Sequence, residues 1–265
     1  MSPTARRSGL LVRWAPAGAA AAVLVLALCG GWLTDVDPAQ TLTRPWSPPS
    51  GEHPLGADAL GRDVLARTLH GGRELALVAG AAALIATSCG AVIGLWAGWS
   101  RSRVGSAVAA GADLLLALPL LLVALVIAVA VPVPWPVIVA TVLGGAPLTL
   151  RVVADATRNA RHTGYVEAAL SRGEPTLTVL LREVVPAHRG LLSADLGIRA
   201  VLALQLATAL AVLGHGPAPP SSDWAVMLRE NLTGMPLNPA AVLAPAFALT
   251  VLALVIAFAA RQAQR

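Results

Sequence analysis

Six mainly apolar stretches, residues 16–33, 74–99, 106–131, 135–154, 190–213 and 240–260, alternate with polar segments along the chain. Each is close to the roughly 20 residues that a helix needs to cross the hydrocarbon core of a bilayer. Ala, Leu, Val and Gly supply most of their apolar character, without the strict alternation of a membrane β-strand. That composition suits helices packed closely through small residues and argues against a barrel. The pattern therefore predicts an all-α, polytopic membrane protein with six transmembrane helices, and an even count puts both termini on one side.

The polar segments differ in character. Residues 34–73 are broken by Pro38, Pro45, Pro48, Pro49 and Pro54, which prevent long regular structure. Within them, a turn at Pro54–Gly56 is expected to precede an amphipathic helix capped by Asp58, with Val64, Leu65 and Leu69 on an apolar face suited to the outer membrane surface. Residues 213–234 form a second polar segment, in which a Gly/Pro-rich turn precedes Trp224, Met227 and Leu228. Residues 165–186, YVEAALSRGEPTLTVLLREVVP, form a charged insert between two apolar spans. Gly173 there permits the positive φ that ends one short helix and re-aims the next, Pro175 suits the first turn of the second, and Pro186 is expected to close it.

Charge sets the orientation. All 19 basic residues are arginine, and the formal net charge is +5. With the N-terminus in the cytoplasm, Arg6, Arg7, Arg13, Arg101, Arg103, Arg151, Arg158, Arg161, Arg172, Arg182, Arg189, Arg261 and Arg265 fall inside, and only Arg44, Arg62, Arg67, Arg73 and Arg229 outside. This obeys the positive-inside rule and puts residues 165–186 in the cytoplasm. The arginines are scattered among short loops, so they form no nucleic-acid face. The absence of lysine excludes a standard phosphate loop, so any ATP-driven step must come from another chain.

Little else in the sequence points to chemistry. His53, His70, His162, His188 and His215 lack ligand-like spacing, and no nucleophile elbow is present. Cys29 and Cys89 sit in apolar runs and read as small buried hydrophobes. Leu28 before Cys29 argues against lipoprotein processing, so the first span reads as a retained anchor. Pro119 and Pro147 interrupt the third and fourth spans and either shape a cavity or serve packing. Asp195 and Arg199, four apart, are placed to pair within the fifth span, and Asp113 sits near the inner end of the third. Gln205 and Thr208 are candidates to line a translocation path.

Three stretches carry a resemblance to a known family. Glu167, Ala168, Ala169, Gly173 and Pro186 resemble the EAA loop by which permeases of bacterial ATP-binding-cassette (ABC) importers engage their ATPases. His53, Pro54, Leu55, Gly56, Asp58, Gly61, Arg62 and Asp63 resemble the segment before the conducting core of dipeptide and oligopeptide permeases. Gly214, Gly216, Pro219, Pro220, Trp224, Met227 and Leu228 extend that likeness. Glu183, Glu174–Pro175 and Ala187 depart from the family's usual residues around the loop.

The chain thus resembles the C-type permease subunit of a peptide-class ABC importer. The resemblance implies an extra N-terminal helix before a five-helix core, with residues 1–73 as anchor and extracytoplasmic segment, 74–265 as permease core, and the coupling loop at about 156–189. It implies a non-enzymatic transport subunit of the cell membrane, without cofactor of its own. Its partners would be a homologous second permease in a heterodimer, two ATPase subunits carrying ATP and Mg, a solute-binding protein and the lipid bilayer, with no nucleic acid. Glu167 would contact the ATPase or cap its helix, Ala168 and Ala169 would allow close approach, and Gly173 would set the bend. The rival readings are a self-sufficient secondary transporter, for which no inverted repeat or mid-membrane coupling carboxylates are visible, and a permease of the same family carrying a nickel chelate or haem.

Overall fold

The computed structural model describes residues 22–100 and 103–263. The first half of the expected N-terminal span and Arg6, Arg7, Arg13, Arg101 and Arg265 lie outside these. The described residues form helices α1 (Ala22–Leu33), α2 (Val64–His70), α3 (Gly72–Trp99), α4 (Arg103–Leu116), α5 (Leu120–Ala130) and α6 (Trp135–Ala160). They continue through α7 (Gly164–Ser171), α8 (Thr176–Val179), α9 (Val185–Ala187), α10 (Arg189–Leu210), α11 (Trp224–Asn231) and α12 (Ala240–Gln262). No strand occurs among the described residues, only two isolated bridges.

Four helical runs are long and apolar enough to cross a bilayer: Val64–Trp99, Trp135–Ala160, Arg189–His215 and Ala240–Gln262. The expected third span is broken: its halves, Ala110–Leu116 and Leu120–Ala130, are bent by 79°. Pro119 stands at the break because it has no N–H to continue the ladder. Pro147, by contrast, is accommodated inside the continuous α6 and is buried. The first expected span is described only as the short apolar α1, so the count of six is not reached within the described residues.

The chain divides into two compact units, one of residues 1–77 and 207–259, the other of 78–206 and 260–265. In the second, α3 presents small residues at every fourth position, Ala82, Ala86, Gly90, Gly94 and Gly98, all buried. A Cβ at Gly90 would stand 2.6 Å from the Ala146 carbonyl oxygen, and one at Gly94 2.7 Å from that of Leu150. Backbone meets backbone along this seam, so α3 and α6 approach as closely as small-residue membrane helices can. Asp113 of α4 pairs with Arg151 of α6, both about half exposed. Cys29 is partly buried and Cys89 exposed, both as free thiols, which corrects the expectation that both are buried. An apolar membrane position need not face the chain's own core, because lipid is equally apolar.

In the first unit, residues 53–71 are clasped to residues 216–238. Asp58 is fully buried; its Oδ1 accepts from the Leu60 and Arg62 amides, and its Oδ2 from the guanidinium groups of Arg62 and Arg67. Glu230 accepts from the same two arginines at 2.8 and 3.0 Å, and Arg67 also donates to the Ser221 carbonyl at 2.6 Å. Two carboxylates thus neutralise two guanidinium groups. Trp224 Nε1 donates to the Thr68 carbonyl, Asn231 accepts from the Ala59 amide, and Asn238 donates to the Leu55 and Ala57 carbonyls.

This arrangement corrects two expectations. Asp58 does not cap α2; Asp63 does, accepting from the Ala66 amide at 2.7 Å while its other oxygen meets His53 Nδ1. Nor is α2 a free surface helix, since Val64, Ala66 and Arg67 are buried and Gly71 leads straight into α3 with right-handed helical angles. Within the same unit, Asp223 caps α11 through the Ala225 and Val226 amides. Burial raises its carboxyl above the ordinary range, the nearby Glu74 charge adds to this, and the two amide hydrogen bonds oppose it.

Candidate functional site

The segment after α6 folds as a small helical bracket with its own core. Arg161 ends α6, its amide bonding the Thr157 carbonyl, and Thr163 Oγ1 folds back onto the Ala160 carbonyl at 2.5 Å. Glu167 lies in the first turn of α7, where a negative charge meets the positive end of the helix dipole. At the far end Gly173 adopts φ +78°, its amide bonds the Leu170 carbonyl, and the Glu174 amide reaches back to Ala169. These two bonds form a Schellman motif, which needs a left-handed residue at that place and so explains the glycine. Pro175 then precedes α8 as its N-cap residue.

Pro186 does not close the second short helix. It sits in the first turn of α9, after a π-helical turn at Leu180–Val184 in which the Val185 amide bonds the Leu180 carbonyl. The wider turn absorbs a proline that cannot donate, and helical structure continues to His188, whose Nδ1 meets the Val184 carbonyl at 2.7 Å.

Ala160, Val166, Ala169, Val179 and Val184 form the bracket's core, with Leu95, Trp99 and Leu180 packed against it. Successive helical residues point about 100° apart, so Glu167, Ala168 and Ala169 cannot all face one partner. Glu167 and Ala168 are exposed, whereas Ala169 is fully buried. The small side chain at 169 therefore closes the bracket on itself and does not serve approach by another protein. The outer face is apolar instead: Tyr165, Leu170, Leu177 and Leu181 are exposed, Leu177 by 67%. Leu177 and Leu181, four apart, project from one side of the second helical run. Sequence reasoning passed over them, because apolar residues on both faces of a short amphipathic pattern look alike until the buried face is known.

The family described as binding-protein-dependent transport system inner membrane component matches residues 90–265. The chain belongs to this family. It is a transport subunit and not an enzyme, and the bracket lies wholly within the matched region. Among similar proteins, a glutathione transport system permease protein from Pectobacterium atrosepticum is 32% identical over 77% of this chain and 69% of its own length. A putative peptide transport system permease protein from Brucella suis biovar 1 is 30% identical over 79% of this chain and 71% of its own. A glutathione transport system permease protein from Escherichia coli (strain UTI89) is 31% identical over 77% and 69%.

A second polar cluster centres on Asp195 of α10. Its Oδ1 accepts from Arg199 at 3.0 Å, and its Oδ2 from Thr87 of α3 at 2.9 Å and Thr149 of α6 at 2.6 Å. The pair expected from spacing is therefore a three-helix cluster whose threonines the sequence did not single out. Further along the same helical run, Gln205 is exposed and Thr208 is half-buried.

Proposed function

We propose that this permease conducts peptides through the membrane as one half of a heterodimer with a homologous permease, driven by two ATPase subunits that dock on residues 164–187. The observation that carries the proposal is the bracket: a self-contained, glycine-bent helical pair, fused to α6 and presenting Tyr165, Leu177 and Leu181 outward beside Glu167 and Ala168. An exposed apolar face on a polar loop is suited to a protein partner. ATP and Mg belong to the ATPases, since a chain without lysine carries no phosphate loop.

A solute-binding protein delivers the cargo on the opposite side, and ATP-driven closure of the ATPases alternates access to a path on which Gln205 and Thr208 are the candidate polar groups. The relatives named for peptide and glutathione transport favour a peptide cargo over a nickel chelate or haem. Both termini are assigned to the cytoplasm from the arginine distribution.

Glu167→Lys and Gly173→Leu test the docking surface. A Cβ at Gly173 meets no atom within 4 Å, so leucine there strains the left-handed backbone and projects outward without disturbing the core. Each variant is expected to insert and fold while the ATPases no longer copurify with it. Normal recovery of the ATPases with both variants would rule out this loop as their docking site.

A further inference from the structure

Arg161 stands where α6 gives way to the bracket, yet its side chain turns to a different helix. Its Nη1 donates to the Trp99 carbonyl at 2.5 Å, and its guanidinium carbon lies 4.9 Å from the centroid of the Trp99 ring. Trp99 is the last residue of α3, where the helix leaves carbonyls without intrahelical partners and its dipole favours a cation. The same indole packs against the bracket core of Val166, Ala169, Val179 and Val184. One side chain therefore joins three things: the end of α6 through its backbone, the end of α3 through a carbonyl and a ring, and the core of the loop through that ring. The planar guanidinium suits this double role, whereas a lysine can supply the charge without the stacked plane.

We propose that Arg161 is the positioning residue through which displacement of the bracket reaches α3, so that α3 and α6 tilt together when the ATPases close. Without it the bracket still continues into α6 and α10 and still packs on Leu95 and Trp99, but the guanidinium no longer holds the α3 terminus to the loop. The packed seam at Gly90, Gly94 and Gly98 keeps α3 beside α6, so what the α3 end loses is the hydrogen bond and stacked guanidinium that stiffen its contact with the loop. The inference rests on residues 164–187 being the ATPase-docking loop.

The test uses the complete importer, with second permease, ATPases and binding protein, in proteoliposomes. The probe is whichever of radiolabelled glutathione or trialanine the wild-type complex accumulates. Arg161→Met is expected to keep its ATPases, because it leaves the outer face of the bracket untouched, and to go on hydrolysing ATP. Uptake per ATP hydrolysed should fall about tenfold, within the usual range of coupling between sites. Stimulation of hydrolysis by the binding protein should fall with it. Arg161→Lys should recover part of the coupling, and Trp99→Phe more of it than Trp99→Ala. Unchanged uptake per ATP in Arg161→Met would overturn the inference. So would a parallel loss of folding, ATPase binding and hydrolysis without rescue by lysine, which would mark a purely structural role. Failure of the docking reading shows separately, as ATPases that still copurify with Glu167→Lys and Gly173→Leu.

Discussion

Asp58→Ala is expected to lower the stability of the folded permease by about 3–5 kcal/mol, the usual cost of removing one partner from a buried charge pair. Asp58 is fully buried, and both Arg62 and Arg67 bond its Oδ2. Without it, two guanidinium groups share the single carboxylate of Glu230, and the Leu60 and Arg62 amides lose their acceptor. Arg44→Ala, at an exposed position of the same segment, is the control and should change stability by no more than about 0.5 kcal/mol. Denaturant titration in detergent micelles reads the difference. A loss under about 1 kcal/mol for Asp58→Ala would mean that the cluster is solvated and does not clasp residues 53–71 to 216–238.

The fate of this cluster shows what could be seen in the sequence and what could not. The run His53 to Asp63 was visible as a distinct segment, because prolines, glycines and acids follow one another at close range. Its purpose was not visible, since the groups that complete it, Ser221, Glu230, Asn231 and Asn238, are more than 150 residues away. Sequence spacing therefore suggested the local role, a helix cap at Asp58. In the fold that role falls to Asp63, and Asp58 serves the distant partners.

The bracket divides in the same way. Gly173 was legible because a left-handed residue leaves a local signature, and the family likeness pointed to Glu167 and Ala168. The inward turn of Ala169 depends on Val179 and Val184 across the bend, and the π-helical turn before Pro186 depends on how that second run packs. Apolar spans were the easiest to read, apart from the break at Pro119, where a proline could equally have been absorbed as Pro147 is.

Asp195→Ala should have a comparably large effect within the membrane region. Arg199 is almost wholly buried, and Asp195 is its ion-pair partner among the described residues, so alanine leaves a buried guanidinium uncompensated. Thr87 and Thr149 lose their shared acceptor, although Thr149 retains the Gly145 carbonyl at 3.3 Å. The expected loss is again about 3–5 kcal/mol. Asp195→Asn should lie between alanine and wild type, because its amide oxygen still accepts from the threonines but no longer neutralises Arg199. Thermal unfolding of the purified permease in detergent gives the ranking. Equal midpoints for all three proteins would show that the cluster contributes nothing to holding α10 against α3 and α6.

Reconstitution decides whether this permease is one part of an ATP-driven importer. Purified permease, second permease, ATPases and binding protein are combined in proteoliposomes, each omitted in turn, with radiolabelled glutathione and trialanine offered outside. Accumulation should appear only in the complete mixture with ATP, and should stop when ATP hydrolysis is blocked. Accumulation by the isolated chain under an ion gradient, without ATP, would contradict this and identify a secondary transporter.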